Sequence, residues 1–221
     1  MTIGRSPNSE CPEWSSDGPA TREGSFYDSV AAAYRLVEKS AKDRIVDSEI
    51  CCHWHRTMFA RHVPLSYYAG NYRQVDPSRP CLDVNVWVAG QQGADASEVP
   101  ETMRLHFEQV RRILTALEVQ WPSMSAQDRA KRCAVTLGYA IGQFIKVHPF
   151  VNGNGRTSRL LWAWGLIRFN VPPQVRIRTR PENPKYAQVM AQAMSGNFAP
   201  LALFILTHMV VAPPALELPP Q

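Results

Sequence analysis

The strongest constraint on this chain is a pair of helical apolar stripes separated by a short break. Upstream, Ala134, Leu137, Ile141 and Ile145 recur at helical spacing in a segment from about Gln127 to Val147, and His148 continues the stripe. Downstream, Leu160, Leu161, Trp164 and Ile167 do the same from about Asn154 to Phe169. Pro149 disfavours helical geometry at the residue before it, so the first helix should end at His148 and leave an imidazole at a helix C-terminus.

The break itself carries the chemistry. Gly153, Asn154 and Gly155 can all adopt positive φ, which lets successive backbone N–H groups converge on one anion. Arg156 and Arg159 then fall in the first turn of the second helix, where the macrodipole opposes a cation. Two guanidinium groups beside a Gly-Asn-Gly nest become favourable once a polyanion sits between them, and a triphosphate fits that description. Other phosphate signatures do not fit. Gly155 is followed by Arg156 rather than the Lys-Ser/Thr of a Walker loop, and Ser158 stands where a dinucleotide fingerprint needs its third glycine.

The surrounding pattern is mainly α. Helices are predicted over about 26–38, 45–60, 101–119, 127–147, 154–169, 183–195 and 200–209. One stretch reads differently: Leu82, Val84, Val86 and Val88 alternate with polar residues and Trp87 between turn residues, as a short β-element or hairpin would. Residues 1–24, rich in Ser, Pro, Glu and Gly, read as a flexible tail, and 213–221 as a proline-rich one. Residues 25–212 form the expected domain.

Composition sets outer limits. A net charge of +5 favours anionic ligands but is too small to indicate nucleic acid. No stretch reads as a Sec-type signal peptide or a bilayer span, so the expectation is a cytoplasmic chain without a membrane partner. A secretion signal for other machinery would leave no mark in this reading. Five cysteines without framework spacing point to free thiols. His53 and His55 diverge around a helix, which argues against a metal pair, and Arg176, Arg178 and Arg180 read as a solvated strand edge or loop.

The stretch HPFVNGNGRTSR, residues 148–159, closely resembles the Fic motif. Supporting likeness extends through Trp54–Phe59, through Ala69–Arg73, and through Tyr186–Leu201. The resemblance implies a Fic-type helical bundle with a small β-hairpin flap. It also implies a protein adenylyltransferase that moves AMP from ATP to a Ser, Thr or Tyr hydroxyl of a target protein, releasing diphosphate. Members of the same fold transfer UMP, GMP, phosphate or phosphocholine instead. His148 would be the general base, its ordinary pKa of about 6.5 suiting a hydroxyl nucleophile. Phe150 would anchor the loop in the core. The Gly153, Asn154 and Gly155 backbone with the Asn154 side chain would hold the α- and β-phosphates, and Arg156 and Arg159 the β- and γ-phosphates.

Where the family carries an acidic ligand for Mg²⁺, this chain has Asn152, which implies a weakened metal site or a nucleotide- or partner-binding module with little turnover. Leu82, Val84, Val86 and Val88 would form a flap on which a target strand docks. Many Fic proteins carry an inhibitory helix ending in Glu-Gly/Asn. Glu23-Gly24 echoes that end while Pro19 departs from its start, leaving inhibition to a separate antitoxin as the other option.

Overall fold

The computed structural model describes residues 11–15, 24–43, 46–88, 90–171 and 184–209. Within these lie seven α-helices: α1 (Gly24–Lys42), α2 (Ser48–Phe59), α3 (Val99–Gln120), α4 (Ala126–Val147), α5 (Asn154–Arg168), α6 (Pro184–Met194) and α7 (Ala199–His208). The fold is mainly α, a helical bundle, and its boundaries follow local chemistry. Asp47 caps α2 by accepting from Ile50 N–H at 2.8 Å, and Ser125 caps α4 by accepting from Asp128 N–H at 3.1 Å.

Two helices organise the core. α4 packs against α3, α5, α6 and α7, while α1 packs across α2 and α5. α5 is encased on every side: Arg156 through Leu166 are all buried, as a helix without a solvent face must be. Trp54, Phe107, Leu137, Phe144 and Trp164 fill the space between helices at 0–1% exposure, each contributing about 1.5–3 kcal/mol by leaving water. Both ends of the 148–153 break are therefore fixed by deep packing.

The only strands among the described residues are β1 (Trp87–Val88) and β2 (Gln91–Gln92), an antiparallel hairpin with Trp87 opposite Gln92 and Val88 opposite Gln91. Of the alternating stretch 82–88, only Trp87 and Val88 are strand. Leu82 closes a short 3₁₀ turn, Pro80–Leu82, and Leu82 and Val86 are 0% and 2% exposed. The alternation marks an inward face, but the backbone partners of Val84 and Val86 are not strands. The Arg73 guanidinium donates to the Val84 carbonyl, and Gly93 N–H donates to the Val86 carbonyl. Trp87, 41% exposed, is the side chain turned outward.

Two further expectations change. Cys11–Ser15 are not a loose tail, for Trp14 is buried at 5% exposure in the main core. Cys11 and Cys81, 70 residues apart, form a disulfide, so only Cys51, Cys52 and Cys133 are free thiols. Such a pairing is tertiary and has no spacing signature. Burial pushes the Cys52 and Cys133 thiols up to about 12, which leaves them unreactive near neutrality. Glu23 and Arg176, Arg178 and Arg180 lie outside the described residues. No helix among the described residues is long and apolar enough to cross a membrane.

Candidate active site

α4 ends at Val147, and His148 follows as its C-cap in the left-handed region, φ 54° and ψ 60°. A non-glycine residue is held there only by its surroundings. Its N–H donates to the Phe144 carbonyl at 3.0 Å, and its carbonyl accepts from Arg73 Nε at 2.9 Å. The ring is 5% exposed. Nδ1 lies 3.3 Å from the Ile145 carbonyl, which can only accept, so Nδ1 carries the proton and Nε2 keeps its lone pair. Burial, with the Arg73 cation second among the lowering causes, brings the imidazole down to about 4, below the value expected from the sequence. At neutral pH His148 is an unprotonated base.

Behind His148 the loop is braced residue by residue. Phe150 is fully buried and stacks on His55 with centroids 3.8 Å apart. Asn154 Oδ1 accepts from Phe150 N–H at 2.9 Å and its Nδ2 donates to the Phe150 carbonyl at 2.8 Å. The Asn154 side chain thus closes the loop on itself. His55 joins the brace: Gly70 N–H donates to its Nδ1 at 2.9 Å, so Nε2 bears the proton and donates to the Asn152 carbonyl at 3.1 Å. Burial lowers its pKa to about 3.

The front of the loop is different. Gly153 is the left-handed N-cap of α5, φ 80°, and a Cβ there would lie 2.5 Å from the Phe59 ring. At Gly155 a Cβ would meet nothing within 4 Å, so this side of the helix N-terminus is open. The Arg156 and Thr157 N–H groups donate to the Gly153 carbonyl at 3.1 and 3.0 Å, while those of Asn154 and Gly155 lie ahead of the first intrahelical bond. Arg156 and Arg159 are 3% and 7% exposed. Arg156 lies 4.8 Å from the Phe26 ring centroid, and Arg159 5.1 Å from that of Tyr186. Aromatic faces from α1 and α6 therefore fix both guanidinium groups.

Arg73 is the residue whose role sequence reasoning missed. It is 0% exposed and donates to four carbonyls: His148, Val147 at 3.0 Å, Val84 at 2.8 Å and Ala94 at 2.7 Å. It caps the C-terminus of α4 while tying His148 to both segments that flank the hairpin. Gly93, on the return leg, sits so close that a Cβ would fall 3.0 Å from His148 Cβ. The nearby carboxylate, Asp76, pairs with Arg79, and Arg73 turns to backbone carbonyls instead.

Mg²⁺ was expected at Asn152, and the side chain does not fit that task. Its Oδ1 accepts from Gly153 N–H at 2.7 Å, and its Nδ2 donates to the Trp14 carbonyl at 2.7 Å. A hard cation asks for anionic oxygen, and this neutral oxygen is committed to an amide. Among the described residues no group of three or more His, Cys, Asp or Glu could hold a metal.

Comparison with known proteins bears on this geometry. The model of the Fic/DOC family matches residues 45–166, which include the hairpin, His148 and most of α5. The chain belongs to the Fic/DOC family. Curated relatives include "Protein adenylyltransferase Fic" of Drosophila persimilis, 39% identical over 67 residues, and that of Drosophila melanogaster, 40% identical over 63 residues. These matches cover 30% and 28% of this chain and only 13% and 12% of the relatives' lengths.

Among solved structures, a Fic domain containing signaling protein from Bacteroides thetaiotaomicron superposes with a TM-score of 0.59 at 19% identity, covering 83% of this chain and 67% of that one. The BepC protein of Bartonella tribocorum, a VirB-translocated effector with bound AMPPNP, gives 0.52 at 14% identity, covering 83% and 85%. At such identities the likeness is one of fold.

Proposed function

We propose that this Fic-family chain is a protein adenylyltransferase that uses ATP and modifies a hydroxyl side chain of another protein. The observation carrying the reading is the pairing of an unprotonated His148, Nε2 unbonded, with the open N-terminus of α5 and its two buried arginines. The adenylyltransferase names of curated relatives and the AMPPNP bound to BepC support the donor class. Triphosphate oxygens would accept from the α5 N–H groups beside Gly155, with Arg156 and Arg159 balancing their charge. The target hydroxyl, presented along the hairpin leg at Gly93, attacks the α-phosphorus. The new O–P bond forms as the bond to the β-phosphate oxygen breaks, diphosphate departs, and the hydroxyl proton passes to His148 Nε2. Asn152 plays no part in these steps.

Incubation with lysate and ATP labelled on either the α- or the γ-phosphate tests the proposal. Protein-bound α-label that disappears with His148→Ala is the expected result. Protein-bound γ-label would make the chain a phosphotransferase. No transfer from ATP, UTP or GTP would overturn nucleotidyl transfer.

A further inference from the structure

Asn152 stands where the family resemblance places a metal-holding carboxylate, and its amide is turned to something else. Its bond to the Trp14 carbonyl spans 138 residues of sequence. Trp14 is seated as well as bonded. Its ring stacks near Tyr68 at 6.1 Å and meets His55 and Phe59 edge-on at 5.9 and 5.2 Å. His55 and Phe59 are the two side chains against which Gly153 packs. Tyr68 adds a hydroxyl bond to the Pro12 carbonyl at 3.2 Å. Just before Pro12, the Cys11–Cys81 disulfide fixes the segment to the base of the hairpin.

We propose that residues 11–15 are a disulfide-latched strap whose seat is Asn152, and that this position serves here as a strap anchor in place of a metal ligand. The chemistry of the side chain carries the inference. A primary amide can donate to the Trp14 carbonyl and accept from Gly153 N–H at the same time. A carboxylate can only accept, and would set negative charge against the carbonyl oxygen of Trp14. Asparagine therefore fits this seat where aspartate does not. The strap braces the motif loop from behind: Trp14 holds Asn152, His55 holds the Asn152 carbonyl, and Phe150 stacks on His55. Segment and loop lose freedom together, and the disulfide keeps the segment at high local concentration over its seat.

The latch gives the brace a redox dependence. A dithiol reductant passes two electrons and two protons to the Sγ–Sγ bond. Cys11 and Cys81 become two thiols, and the dithiol closes to its own disulfide. The strap then keeps the Trp14 packing and its hydrogen bonds from Tyr68 and Asn152 but loses its covalent tie.

Hydrogen–deuterium exchange of the full chain tests this without any transfer assay, so failure of the adenylyltransferase reading leaves the test standing. Peptides covering 11–15 and 150–154 are followed in the oxidised protein, after dithiothreitol, and in Cys11→Ser and Asn152→Asp, with circular dichroism recording that the helices persist. The expected result is exchange faster by about tenfold in both peptides for Asn152→Asp, the weight of one buried hydrogen bond. A similar rise is expected on reduction and in Cys11→Ser, with α3 unchanged. Rapid exchange of 11–15 in the oxidised wild type would overturn the proposal. So would unchanged protection in Asn152→Asp, or strap retention in that variant with new loop protection by magnesium chloride and AMPPNP.

Discussion

His55 and His148 are both buried imidazoles tied to the same loop, and burial lowers both, to about 3 and about 4. They differ in wiring. His55 accepts from Gly70 and donates to Asn152, so neither nitrogen is left over. His148 spends Nδ1 on the Ile145 carbonyl and leaves Nε2 unbonded. The same contrast separates the two sides of the motif loop: behind it the polar groups of His55, Asn152 and Asn154 are bonded within the protein, and in front stands an open helix N-terminus flanked by cations. A depressed pKa therefore does not set the two histidines apart; the unspent lone pair does.

The largest effect that tests this contrast is acid unfolding, which treats the two histidines alike. Unfolded imidazoles protonate near about 6.5, whereas His55, His106 and His148 do so only near about 3, 4 and 4 when folded. Between those values the unfolded chain binds more protons, so stability is full above about pH 6.5 and falls as pH drops toward 4. Each histidine contributes about 3 kcal/mol of that loss by pH 4, and urea midpoints measured across the range should follow it. A flat profile would mean that the imidazoles are not buried neutral.

Mutation should split the pair. His148→Ala should lower transfer by about 10²–10⁴-fold while AMPPNP affinity holds. His55→Ala should instead lower the melting temperature, with activity lost only as folded protein is lost. The next effect in size belongs to Arg73. Arg73→Met leaves four carbonyls without their donor, and kcat should fall by about 10–100-fold with KM for ATP little changed. Removing a cation that lowers His148 should also move the acid limb of the pH–rate profile upward, which loss of packing alone would not do. The smallest effect separates the two glycines. Gly153→Ala should cost about 1–3 kcal/mol of stability, through positive φ and the Phe59 contact. Gly155→Ala should leave the melting temperature unchanged and raise KM for ATP several-fold.

What the sequence makes legible follows from distance along the chain. Helices, the stop before Pro149 and the run from His148 to Arg159 are local facts, readable from period and turn chemistry. The alternation at Leu82–Val88 correctly marks an inward face, yet the backbone partners of Val84 and Val86 are a guanidinium and a loop amide, which no periodicity encodes. The brace is invisible for the same reason: Arg73 meets His148 across 75 residues, His55 meets Asn152 across 97 and Trp14 meets Asn152 across 138. Asn152 is legible as a departure from the family motif, while its new partner is not.

The strap also sets an order of events during synthesis. Cys11 and Cys81 both precede residue 148, so the ribosome releases the two latch residues before the loop that the strap will brace. The loop needs only neighbouring helices to close, at low entropic cost, whereas the Trp14–Asn152 contact closes a ring of 138 residues. Oxidising the latch while α4 and α5 are still being made shortens that ring in advance, since the segment is already held at Cys81. A chain made under reducing conditions must instead find the contact by searching the full span, and long-range searches of that kind are the slow steps of folding.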